Sequence, residues 1–401
     1  MHPQIEYDRG VVNKGDRRAV AAVMRRAMAG EDLTLAFLGG SITQGSLASK
    51  PELCYAYRVF DWWVKTFPKA HFTFVNAGIG ATDSQFGCAR VQEDVLVYHP
   101  DYVSVEYAVN DSATPHFCET FEGVIRQILE AENAPALTVM YNVCYDNGSS
   151  AELQHSKVVR HYDLPAVSMR TTIYPELLAG RIENREITPD DLHPNDPGHE
   201  LVASVIIYML EEIRKELVEE KCAGDGYKCV DGEGSAAGGS TASQKAAPNG
   251  PELPTPLTAN TYQNSRRFRN DSDVVKECAG FTADVTPQEH ITEIFRKGWT
   301  ATEQGSKIVF EVSGSNLAVQ YRKTMQLPAP IATVIIDGDV TKPITLDANF
   351  DETWGDKLVL DTLMEGGSAG EHTVEITLTE THPEDKLPFY LVSIIASGAE
   401  S

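Results

Sequence analysis

Three observations predict an α/β domain followed by an all-β domain. The first 220 residues alternate short apolar runs with stretches of helical spacing, residues 232–256 are rich in Gly, Ser, Ala and Pro, and seven short alternating runs come after them. Strands separated by helices imply right-handed crossovers and a parallel sheet covered on both faces. The expected architecture is a three-layer α/β/α domain of about five parallel strands over residues 1–220. A flexible linker over 221–256 and an antiparallel, jelly-roll-like β-sandwich over 257–401 complete it.

The elements follow in order. Val20, Val23, Met24, Ala27 and Met28 keep helical spacing, and Gly30 is placed to stop that helix. "LTLAFL" (33–38) reads as a buried strand. Phe60, Trp63, Val64 and Phe67 mark the next helix, with Trp63 on its apolar stripe and so in the core. "FTFVN" (72–76), "DYVSVEY" (101–107), "ALTVMYN" (136–142) and the weaker "LPAVSM" (164–169) are further strands. Phe121, Val124, Ile125, Ile128 and Leu129 give a helix among them, and Leu201, Val202, Val205, Ile206, Met209, Leu210 and Ile213 a last one. "GEGSAAGGSTASQKAAPNGPELPTP" (232–256) lacks the apolar surface to order itself. The sandwich strands are "KIVFEV", "NLAVQY", "ATVIIDG", "PITLD", "KLVLD", "HTVEITLT" and "FYLVSIIA", separated by turn signals such as "SGSN" and "GGSAG".

Composition narrows the function. With 34 basic against 58 acidic residues the formal charge is −24. A polyanionic partner needs a basic patch, so nucleic acid and anionic membrane are disfavoured and a neutral substrate is expected. No run approaches the length of a membrane span. "MHPQIEYDRG" (1–10) has no apolar segment, and the seven scattered cysteines suit free thiols in a reducing compartment, so a cytoplasmic location is expected. Cys222 and Cys229 have six residues between them and no His nearby, so no metal is expected there.

Four features carry chemistry. Gly39-Gly40-Ser41 ends the first strand; it presents either a nucleophilic hydroxyl or a helix-capping serine. The G-x-S-x-G elbow is absent, because position 43 is Thr. "NAGIGATDS" (76–84) is a small-residue turn at the second strand end, able to present backbone N–H groups. Asn110-Asp111 follows the third strand, where an amide can face a developing oxyanion or simply form an Asx turn. In "PDDLHPNDPGH" (189–199), Asp190 and His193 are spaced so that a carboxylate can hold an imidazole whose other nitrogen faces a nucleophile. His199 reads as a helix-surface residue.

Together, and in this order, these blocks resemble the SGNH (GDSL-like) hydrolases over residues 10–215. The motif is GGS here in place of GDS, V-N-D in place of G-x-N-D, and Ala81 stands where relatives carry glycine. The resemblance implies a nucleophile Ser41, a base His193 and its partner Asp190. It also implies an oxyanion hole from the N–H of Ser41, an N–H at Gly80 or Ala81, and the Asn110 side chain, with no cofactor. The order of hydrolase, linker and sandwich is similar to carbohydrate esterase family 17, acetyl esterases of gut bacteria acting on acetylated mannan, whose second domain resembles a family 35 carbohydrate-binding module. That implies an acetylated, mannan-derived oligosaccharide as substrate. Trp299 and Trp354, in polar surroundings, are candidates to stack on a sugar, although a core or rim position is the commoner fate of such residues. Another SGNH activity (acetylxylan esterase, lipase or thioesterase) and a non-catalytic carbohydrate-binding protein are the alternatives.

Overall fold

The computed structural model describes residues 2, 4–225 and 253–398. The first domain is built on a six-stranded sheet. Its strands are β1 (Val11–Asn13), β2 (Asp32–Gly39), β3 (His71–Gly78), β4 (Tyr102–Glu106), β5 (Ala136–Tyr141) and β6 (Ala166–Ser168), in spatial order β1-β6-β5-β4-β2-β3. Strands β2 to β6 are parallel, as expected, and the short β1 adds an antiparallel edge that no sequence pattern announced.

Alternation along β2 explains the layers. Leu35 and Phe37 face one apolar cluster, shared with α1 (Arg18–Ala29), α3 (Tyr55–Thr66) and α9 (Asp196–Asp225). Ala36 and Leu38 face another, shared with α4 (Ser84–Asp94), α5 (Pro115–Leu129) and α6 (Glu152–His161). A sheet covered on both faces selects near-continuous apolar strands, and every residue of β4 and β5 is buried. Gly30 ends α1 in the left-handed region, and Trp63 is in the core. Met28 and Val64, at the margins of their stripes, are exposed. Three short helices, α2 (Ser41–Gln44), α7 (Ile173–Leu178) and α8 (Asn184–Ile187), sit near the strand ends and in the segment before α9.

The second domain is a sandwich. One sheet orders β15 (Lys357–Met364), β12 (Asn316–Lys323), β17 (Phe389–Ser397), β10 (Trp299–Ala301) and β9 (Thr282–Ala283), with β7 (Arg266–Phe268) also on β17. The other orders β14 (Ile344–Asp347), β13 (Ile331–Ile336), β16 (Gly370–Glu380), β11 (Lys307–Gly314) and β8 (Val275–Ala279). All seven expected strands are present. The four short strands β7 to β10 were not read from the sequence.

The linker expectation meets two observations. Residues 221–225 continue α9, and residues 253–256 are tied down: the Pro254 and Thr255 carbonyls accept from Arg126 and His161. The part over 226–252 lies outside the described residues, as does Cys229. Beyond it, the Leu257 and Thr258 N–H groups donate to Glu122, Thr261 donates to Glu119, and Tyr262 enters the core of the first domain. The sandwich also contributes apolar surface of its own to this union. Ala318, Leu358, Val392 and Ile395, on the outer face of the first sheet, pack with Ile79, Phe86 and Ala89 of the hydrolase-like half. Among the described residues, no helix is long and apolar enough to cross a membrane, and no His, Cys, Asp and Glu group is arranged to hold a metal.

Candidate active site

Register brings three chain segments to one edge. Gly39 at the end of β2 lies beside Gly78 of β3 on one side and Glu106 of β4 on the other. Whatever follows these strands therefore converges. After β2 comes Ser41, the first residue of the one-turn α2 and nearly buried. Two glycines permit this turn. A Cβ on Gly40 would lie 2.3 Å from Asn110 Oδ1, and one on Gly78 would lie 2.0 Å from the Gln44 backbone nitrogen. The chains approach more closely there than any side chain allows. Asn76 fastens the same junction, donating to the Thr43 carbonyl at 2.9 Å while its Oδ1 accepts from Gly78 N–H at 2.9 Å. Underneath, the fully buried Arg90 guanidinium donates to the Gly39 and Ala77 carbonyls at 3.0 and 2.8 Å.

The turn before α9 supplies the other partners. Ser41 Oγ is 2.8 Å from His193 Nε2, and His193 Nδ1 is 2.6 Å from Asp190 Oδ2. The second Asp190 oxygen accepts the backbone N–H groups of His193 and Leu192 at 2.7 and 3.1 Å. One carboxylate thus fixes both the ring and the loop that carries it. Burial pushes the Asp190 carboxyl up, but the hydrogen bonds from the His193 ring and from the two N–H groups outweigh it and bring it below the usual carboxylate range. Asp191 faces elsewhere, held by Arg185 and Asn184.

The oxyanion donors divide in a way the sequence left open. Gly80 N–H donates to Gln44 Oε1 at 2.7 Å, so it is already engaged. Ala81, with φ of +56°, keeps the left-handed backbone that glycine would favour, and its N–H is unengaged among the described residues. The Ser41 N–H is likewise unengaged there, as the first turn of a helix requires. Asn110 lines the same cleft, and its Oδ1 is buried without a partner among the described residues. Of the two backbone N–H groups expected as donors, the one at Ala81 is left free to face a ligand, while the one at Gly80 is engaged. Gln44 is the neighbour that sequence reasoning missed, because no motif marks it.

These groups open into a cleft of about 680 Å³ whose walls come from both domains. Thr292, Ile294, Trp354 and Lys357 of the second domain face Ser41, Asn110 and His193 of the first. Trp354 is 57% exposed at this cleft, edge-on to Phe350. Trp299 corrects the expectation. It is 4% exposed and edge-on to Phe310 in the sandwich core, so it cannot offer a face to a sugar. His199 is a second correction, being buried rather than on a helix surface. Its Nδ1 accepts from Tyr55 N–H and its Nε2 donates to the Ser46 carbonyl, both at 3.2 Å, and burial holds its pKa down to about 4.

Residues 37–201 match the GDSL-like lipase/acylhydrolase family. Over the whole length, the chain is similar to a crystallised two-domain esterase (CEX) active on acetylated mannans. It is 52% identical to the mannopentaose co-crystal, with a TM-score of 0.89 and 99% of each chain covered. A second structure of that esterase gives the same identity and TM-score, covering 99% of this chain and 100% of the other. No curated protein matches the chain. A hydroxyl, an imidazole and a carboxylate in hydrogen-bonded series at the carboxyl edge of the sheet are what such family members use on esters, and the chain belongs to the GDSL-like lipase/acylhydrolase family as a two-domain carboxylic ester hydrolase.

Proposed function

We propose that this protein is a serine O-acetyl esterase that deacetylates acetylated manno-oligosaccharides through an acetyl-enzyme. The observation that carries the reading is the continuous series Asp190–His193–Ser41 within a cleft walled by both domains. The substrate class is supported by the 52% identical esterase active on acetylated mannans.

Ser41 Oγ attacks the acetyl carbonyl as His193 Nε2 takes its proton. Asp190 stabilises the imidazolium that forms and keeps the ring aimed. The negative oxygen of the tetrahedral adduct is held by the N–H groups of Ser41 and Ala81 and by the Asn110 amide. On collapse the carbon–oxygen bond to the sugar breaks, and the leaving oxygen takes the proton from His193. Water, activated by the same imidazole, then attacks the acetyl-enzyme, and acetate departs while Ser41 regains its proton.

The test is acetate release from acetylated mannan, acetylated xylan and a short-chain triglyceride, for the wild type and Ser41→Ala. Preference for mannan, abolished by Ser41→Ala, is expected. Faster release from xylan or triglyceride would replace the substrate assignment.

A further inference from the structure

Two of the three oxyanion donors lie on different loops: Ala81 follows β3 and Asn110 follows β4. Neither loop is a regular element, yet a hole for one oxygen tolerates little relative movement. Something must hold the loops to each other. The carboxylate of Asp111, carried on the Asn110 loop, reaches the end of the other. Its Oδ1 accepts the N–H of Ser84 at 2.9 Å, three residues after Ala81. Its own backbone, adjacent to Asn110, is folded back onto the Tyr107 carbonyl, which accepts from both Asn110 and Asp111 at 3.1 and 2.9 Å.

The remaining oxygen of that carboxylate leads to a third element. Asp111 Oδ2 is 2.9 Å from His155 Nε2 on α6, and both side chains are buried. The His155 ring lies flat on Phe121, centroids 3.8 Å apart and planes within 8°. It is therefore fixed in orientation by α5 as well as by its own helix. The start of α6 is pinned to the same loop, since Ala151 N–H donates to the Ala108 carbonyl at 2.7 Å. On the other side, Ser84 is bound to α5 through Thr120 Oγ1 at 2.6 Å. A surface Asx turn would show none of this.

We propose that Asp111, oriented by His155, is a positioning residue that sets the spacing between the Ala81 and Asn110 donors. It touches no reacting atom in this scheme. The inference rests on the oxyanion assignment above but not on the identity of the sugar.

The experiment uses the full-length protein and an aryl acetate. Variants are Asp111→Asn, His155→Gln and the reference Asn110→Ala. Asp111→Asn keeps the shape but puts an amide N–H or a weaker acceptor opposite Ser84 and His155. His155→Gln keeps a donor for Asp111 but loses the flat contact with Phe121. The expected result for Asp111→Asn is a kcat lowered roughly 10- to 100-fold with KM within about twofold, the size that follows from sub-ångström to ångström misplacement of catalytic groups. Affinity for methylboronic acid, whose serine adduct is tetrahedral, falls by a similar factor. His155→Gln shows the same pattern more weakly, and it carries the test if Asp111→Asn does not fold. Normal kcat and boronate affinity in folded Asp111→Asn, with Asn110→Ala impaired, overturns the positioning role alone. Loss of kcat that in both Asp111→Asn and His155→Gln merely follows a loss of folded protein also overturns it. A silent Asn110→Ala removes the hole itself, and this inference with it.

Discussion

In the proposed mechanism Ser41→Ala removes the oxygen that bonds to the acetyl carbon, and it leaves a cavity of one atom. Folding should be untouched, and kcat for acetate release should fall on the order of 10⁴-fold or more. Asp190→Asn should be clearly damaging, because His193 Nδ1 loses its charged acceptor, whereas Asp191→Asn should be mild. Initial rates on aryl acetate compare the two, and a reversed order would contradict the 2.6 Å contact between Asp190 and His193. Ala81 offers a different kind of test. Its φ of +56° costs an alanine roughly 1 kcal/mol that a glycine does not pay, although glycine is freer when unfolded. Ala81→Gly should therefore keep its activity and raise the unfolding free energy by up to about 1 kcal/mol, seen as a higher denaturation midpoint. A lowered midpoint would show that the left-handed backbone is not strained. At this scale the sequence was informative where residue type and spacing are themselves the chemistry, as at Asp190 and His193. It was not informative where a neighbour from another segment decides. Trp299 looks solvated among Lys, Gly and Thr, but it points inward from a three-residue strand. His199 looks like a helix-surface histidine until Tyr55 and Ser46 close over it.

At the scale of elements, the apolar runs revealed β2, β4, β5 and β6 because strands covered on both faces are near-continuously apolar, and the edge strand β3 because Phe72 and Phe74 alternate with Thr73. The same logic missed β1 and β7 to β10. β1, β7, β8 and β9 contain no buried residue and β10 only two, too little to imprint an apolar run, and they are held by partners far away in sequence, such as β17. The end of β4 illustrates an element taken to its limit. Glu106 is fully buried there; its Oε1 accepts from Ala108 N–H at 3.1 Å, and its Oε2 has no partner among the described residues. Burial, reinforced by the charge of Asp111, pushes its pKa up to about 8. The unfolded chain releases this proton near the ordinary value of 4.5. Between those two pH values the native state holds a proton that the unfolded state has lost, so stability drains away as pH rises through the window. Glu106→Gln keeps the acceptor for Ala108 and cannot ionise. Its melting temperature relative to wild type should rise steadily from about pH 4.5 to about pH 8. A difference that stays constant with pH would mean that Glu106 is ionised in the native state or titrates normally.

For the whole molecule, the seam between the domains decides what can be learned from cutting it. Tyr262 lies in the core of the first domain, and Ile79, Phe86 and Ala89 pack on the outer face of the sandwich. Removing everything after about residue 250 would expose this apolar surface, so truncation confounds folding with function. Point changes on the far wall of the cleft are the cleaner probe, and Trp354 is the informative one, since its half-exposed ring can change without disturbing a core. A small aryl acetate needs only Ser41, His193, Asp190 and the oxyanion donors. An oligosaccharide must also be placed, and binding energy gained on remote sugar units is what brings its acetyl group to Ser41. Loss of one aromatic face should cost about 1 kcal/mol, several-fold in kcat/KM. Trp354→Ala should therefore lower kcat/KM on acetylated manno-oligosaccharides several-fold and leave aryl acetate within twofold. Trp299→Ala, which opens a cavity in the sandwich core, should instead lower the melting temperature. Equal losses of kcat/KM on both substrates for Trp354→Ala would mean that the second domain shapes the catalytic groups themselves, and no loss on either would leave it a structural neighbour of the cleft.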